Sequence, residues 1–224
     1  MSDKRCYYLE FADPRMDFHL AIPREADGAS ASPRVSIPDW AKLKCCQCAN
    51  CPLTCEDAEC CPPAYDMIEL VEHFSMFNSY DRVNLHMWTN SMMHTIRTDL
   101  QRALAYLYPA MLAESACPYA ALLLPMTKFG KPFPDMADFS FYALAFGLIH
   151  GYLHADKPNR ADGAALDSSR AFSVAQVLHG LLLRIRRTAL SDANINALVK
   201  DIQWSYVTMH PHEFFKSQLE KYFV

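Results

Sequence analysis

No lysine- or arginine-rich run occurs in the 224 residues, and the formal net charge is −4, from 21 Lys+Arg against 25 Asp+Glu. The electrostatic footprint of a nucleic-acid binder is therefore missing, and no nucleic-acid partner is expected. The one basic cluster, Arg184, Arg186 and Arg187, reads as the end of a helix, where cations complement the dipole. No apolar h-region with a small-residue cleavage site follows Met1-Ser2-Asp3-Lys4-Arg5-Cys6, so no signal peptide is read. The most apolar stretch, 139–155, is short for a membrane span and carries His150 and His154, which predicts a buried helix and no membrane insertion. Internal repeats and low-complexity tracts are also missing. So are G-x-G-x-x-G, a P-loop, G-x-S-x-G, H-E-x-x-H and a paired-carboxylate motif, which speaks against an enzyme of familiar type and leaves catalytic residues unassigned. These absences together describe a cytoplasmic protein.

What the chain does have is cysteine in one place. Seven of the nine cysteines are Cys45, Cys46, Cys48, Cys51, Cys55, Cys60 and Cys61. In a reducing cytosol such a cluster points to metal ligands or redox thiols rather than to a disulfide framework, and the odd total fits complete pairing poorly. Cys48-Ala49-Asn50-Cys51 is a C-x-x-C pair, a spacing that lets two sulfurs reach one ion at about 2.3 Å each for zinc. Cys61 precedes Pro62 and Pro63, which suit the first turn of a helix, and a helix N-terminus stabilises a thiolate. Cys117-Pro118 repeats that arrangement before the apolar segment 119–124 and supplies the natural fourth ligand. Cys48, Cys51, Cys61 and Cys117 are thus the expected metal site. Zn2+ is the favoured ion, and an iron–sulfur cluster is the alternative, because Cys-Pro also marks iron–sulfur ligand runs. Cys45, Cys46, Cys55 and Cys60 remain as spare thiols, a local disulfide, alternative ligands or a second four-cysteine site. Cys6 reads as a small buried hydrophobe on a strand.

These residues resemble a bacterial family without an assigned activity. The resemblance rests on Trp40, on Gln47-Cys48-Ala49-Asn50-Cys51-Pro52-Leu53 and on Cys61-Pro62. It continues through the strand near 83–88, Cys117-Pro118 and Pro125-Met126-Thr127-Lys128-Phe129, and spans roughly residues 7–155. Ala116 and Gly130 stand where the family carries Gly and His. The resemblance implies no activity.

The fold expected is mainly α with a small N-terminal antiparallel β element, an α+β protein whose helical body is tied to the β element by the cysteines. Residues 1–61 hold a hairpin over 5–22, an exposed loop over 23–37 and the cysteine segment. Residues 62–224 form the helical body with one further strand over 82–89, and the whole reads as one compact domain. Beyond residue 91 the pattern Met92, Ile96, Leu100, Leu104, Leu107 predicts helix, ended or kinked at Pro109. Further helices are expected over 135–155, 167–189, 192–209 and 211–223, with 156–166 a loop. Trp40 packs either beside the site as a lid or in the core.

Two other groupings merit weighing. His150 and His154, four apart on one helix face, with His179 and Asp138 or Asp156, could form a second metal site for a metal-dependent enzyme. Ordinary packing accounts for them more simply. Lys128-Phe129-Gly130-Lys131-Pro132-Phe133-Pro134 could hold an anion, or is simply a turn with two solvated lysines. The function expected is that of a zinc-stabilised binding, scaffold or accessory module with a protein partner, the alternative being an iron–sulfur electron-transfer or redox-sensing protein.

Overall fold

Alternating apolar residues near the N-terminus make the first two strands, and the computed structural model, which describes residues 5–22, 36–89, 91–153 and 168–208, pairs them as expected. β1 (Arg5–Glu10) and β2 (Phe18–Ile22) form an antiparallel hairpin with Tyr7 opposite Leu20. Asp13 and Pro14 start the short 3-10 turn between them. β3 (Arg82–Trp88) joins the other edge of β1, and β4 (Met93–Asp99) follows β3, giving the order β2-β1-β3-β4. Tyr7, Leu9, Phe18, Leu20, Val83, Leu85 and Met87 all point to the buried face, as the two-residue period of a half-buried sheet requires.

β4 corrects the helix predicted from residue 91. Only Thr98 in it is buried, so this edge strand has no strong apolar alternation to announce it. Thr95, Ile96 and Thr98 are β-branched and favour the pleat. Asp99 then caps the next helix by accepting the Arg102 N–H at 3.0 Å. The helical period after residue 99 is real, but it begins one strand later than the spacing suggests.

The helices are α1 (Pro62–Asp66), α2 (Ile68–His73), α3 (Leu100–Glu114), α4 (Leu124–Phe129), α5 (Met136–Leu153), α6 (Ser168–Ile185) and α7 (Ala193–Thr208). The chain is an α+β protein with a mostly helical body. α3 runs through Pro109 without a break and is buried along nearly its whole length. Its neighbours enclose it on all sides, so tertiary packing overrides the cost of one proline. α5, α6 and α7 match the predicted segments 135–155, 167–189 and 192–209, whereas 211–223 and the loop 156–166 lie outside the described residues, as does most of 23–37. Among the described residues no helix is long and apolar enough to cross a membrane. Trp40 is a core residue, in one apolar cluster with the sheet, α2, α3, α6 and α7.

Candidate metal centre

The cysteine segment is a loop tied at its neck. The Leu43 N–H donates to Glu59 O at 2.9 Å, the Cys61 N–H donates to Ala41 O at 3.0 Å, and Lys42 bridges Cys60. Residues 43–59 therefore leave and return to one place. Within the loop the Cys51 N–H donates to Cys48 O at 3.0 Å, the tight turn expected of C-x-x-C, and Gln47 Nε2 donates to Leu53 O at 2.8 Å across its base. Cys46 has a φ of 48°, in the left-handed region, which turns the chain sharply just before Cys48.

Cys61 stands at the N-cap of α1, ahead of Pro62, with no hydrogen bond from its side chain to the first turn, and the nearby Ala64 N–H acts to favour its thiolate. Cys117 follows α3, the Ala120 N–H donates to its carbonyl oxygen at 3.0 Å, and the nearby Tyr119 and Ala120 N–H groups act to favour its thiolate. At both sulfurs these N–H groups oppose burial, which has the larger effect and raises the thiol. Cys48 approaches α6, with its thiol 3.7 Å from Gln176 O. Gly180 on the next turn of α6 makes this approach feasible. A Cβ there would stand 3.0 Å from Cys48 Sγ and 3.4 Å from Cys46 O.

These contacts bring together residues distant in sequence. Each of Cys48, Cys51, Cys61 and Cys117 lies within electrostatic reach of the other three. Cys48, Cys61 and Cys117 also pack against the apolar core. Burial, followed by the charges of Cys61, Cys51 and Cys117, pushes the Cys48 thiol up to about 11, and burial also raises Cys61 and Cys117. The arrangement is one of free thiols. Among the described residues no three His, Cys, Asp or Glu side chains are arranged so that they could hold a metal ion. The four sulfurs are all half-buried.

Arg184 lies in the last turn of α6, the helix end that the sequence predicts, and is 1% exposed inside the protein. Its Nη1 donates to Trp40 O at 2.9 Å and Lys42 O at 2.6 Å, and its Nη2 donates to Leu43 O at 3.1 Å, so one guanidinium clamps the neck of the cysteine loop to α6. No carboxylate pairs with it among the described residues. Its charge instead acts on Cys45, Cys48 and Cys61, favouring the thiolate of each. Arg186 and Arg187, which follow the end of α6, are exposed.

Polar ties complete the frame. The Tyr119 hydroxyl donates to Asn50 O at 2.6 Å, linking the C-x-x-C turn to the chain after Cys117, and Asn50 Nδ2 donates to Ser173 Oγ on α6 at 3.1 Å. Asn50 Oδ1 is buried without a hydrogen-bond partner. Gly180 is the one sequence signal for this docking that went unused, since an isolated glycine inside a helical pattern often marks close approach.

The remaining cysteines separate from this group. Cys45 and Cys46 have their sulfurs 3.8 Å apart, Cys60 sits beside Glu59 and Lys42, and Cys55 is exposed. Cys6 lies on β1 between Ala21 and Trp88. Of the proposed histidine site, His179 is exposed on α6, whereas the His150 side chain, His154 and Asp156 lie outside what is described. Asp138 accepts Lys131 Nζ at 2.9 Å and the Asp135 N–H at 2.9 Å near the start of α5.

No curated protein and no solved structure matches the chain. A family model described as Domain of unknown function (DUF6901) matches residues 6–223, well beyond the 7–155 of the resemblance read from the sequence. The match covers the sheet, the cysteine loop and the helices α1 to α7 of the described residues, and the chain belongs to this family of unknown function.

Proposed function

We propose that Cys48, Cys51, Cys61 and Cys117 form one four-thiolate metal centre, with zinc as the ion, and that this centre fastens the cysteine loop to α1, to the end of α3 and to α6. The observation that carries this reading is Arg184. A guanidinium buried without a carboxylate partner among the described residues is costly, by several kcal/mol even after relaxation. Four thiolates around one divalent ion carry a net charge of −2, which a nearby buried cation offsets. The mutual proximity of the four sulfurs and the N–H groups near Cys61 and Cys117 supply the rest of the support. A closed four-thiolate shell leaves no position open for substrate, so its role is to hold the fold.

The protein's task on this reading is to bind a partner protein. Support comes from α5, which is apolar on all sides rather than along one stripe. Phe141, Leu148, Ile149, Tyr152 and Leu153 on it, and Phe129 before it, are exposed. Contiguous exposed apolar side chains of this kind mark interaction surfaces. The test is elemental analysis and an absorption spectrum of anaerobically purified protein. About one zinc per chain without a visible band supports the reading. Iron with sulfide and broad visible absorption would replace it with the redox alternative, which the N–H groups near the sulfurs also suit.

A further inference from the structure

A cavity of about 250 Å³ opens at the opposite kind of surface, between the sheet, α3 and the chain from α4 into α5, and no cysteine lines it. Tyr7, Met87, Tyr106, Ala110 and Met126 form its buried part. Arg5, His94, Lys128 and Lys131 also line it, and no Asp or Glu does. Lys131 is paired with Asp138 at 2.9 Å. The Arg5 guanidinium lies near the Tyr7 hydroxyl, and no carboxylate pairs with Arg5 or Lys128 among the described residues. The wall is built rather than accidental. The Lys131 N–H donates to the Tyr142 hydroxyl at 2.8 Å, which leaves that hydroxyl's own proton to donate. Gly130 has no room for a side chain, because a Cβ would stand 2.3 Å from Met126 O and 3.0 Å from Tyr142 Cε2.

We infer that this cavity is a binding site for a small organic anion, a carboxylate carried on an apolar body of one or two rings. Size and chemistry set the class. The volume exceeds the roughly 150 Å³ that accommodates benzene and falls below the roughly 300 Å³ where drug-sized sites begin. The buried residues offer aromatic, thioether and methyl surface, while Arg5 and Lys128 offer unbalanced positive charge, and a guanidinium suits a carboxylate by its paired donors. This assignment does not depend on the metal centre.

The test is calorimetric titration of the full chain with 2-naphthoate and with 2-naphthamide, which share a body and differ in charge. The naphthoate should bind at one site per chain, about fivefold or more tighter than the amide, since a charge-assisted contact is about twice as strong as a neutral one. In Arg5→Gln/Lys128→Gln, which changes a half-buried and an exposed residue of the cavity wall and is first checked for a folded state by melting, the two compounds should bind alike. Equal binding to the parent protein, a preference that survives in the double variant, or no heat from naphthoate at millimolar concentration would each overturn the assignment.

Discussion

The inner cysteines Cys48, Cys51, Cys61 and Cys117 and the outer cysteines Cys45, Cys46, Cys55 and Cys60 share a composition and differ in everything around the sulfur. The inner four come from three separated stretches of chain and face one another beside Arg184. The outer four are near each other in sequence but do not form one group, with Cys45 and Cys46 adjacent, Cys55 exposed and Cys60 beside Glu59 and Lys42. The difference teaches that density of cysteine along the chain does not by itself bring sulfurs together. Convergence from distant elements beside a buried cation does so for the inner four.

That comparison can be broken by substitution. The largest effect should come from Cys48→Ser or Cys61→Ser in the metal-loaded protein. Metal-binding energy is folding energy, so losing one ligand should cost more than about 4 kcal/mol in urea unfolding. An unchanged midpoint would remove the structural role. Arg184→Met should follow, at about 3 kcal/mol or more, because the carbonyls of Trp40, Lys42 and Leu43 lose their donors in the interior. Its metal affinity should fall as well, which a competing chelator would read. If stability drops and affinity stays, Arg184 is a clamp only.

Gly180→Ala should cost about 1–3 kcal/mol, since its new methyl presses on Cys48 Sγ and on Cys46 O in a packed interface. A chelator titration of this variant sharpens the comparison, because the one cysteine sulfur against Gly180 is that of Cys48. Cys55→Ser should be smallest, within about 0.5 kcal/mol, with full metal retained. A large loss there would erase the distinction between the two sets.

Much of this was legible in the sequence, and what was not has identifiable causes. β1, β2 and β3 alternate cleanly because one face of each is buried, and alternation is what a half-buried strand dictates. β4 lies at the sheet edge with one buried residue, so the helical period of α3 seemed to extend back through it. The four inner cysteines stood out by C-x-x-C spacing and by the prolines that follow Cys51, Cys61 and Cys117. Arg184 did not, because its local setting, an apolar helix ending in Arg184, Arg186 and Arg187, is that of an ordinary C-terminus. Only the tertiary contact with residues 40–43 turns one of those arginines inward. Likewise nothing local foretold that Lys128 and Gly130 would meet Arg5 and Tyr7 across a cavity.

The central claim is that the inner four thiols, and not the outer four, hold a metal. The measurement that tests it most directly is the metal-to-protein ratio of the anaerobically purified parent chain beside Cys48→Ser and Cys55→Ser. The account predicts about one zinc per chain in the parent and in Cys55→Ser, and a clear loss in Cys48→Ser. A parent chain that carries no metal, or a Cys48→Ser protein that keeps its full complement, would contradict it.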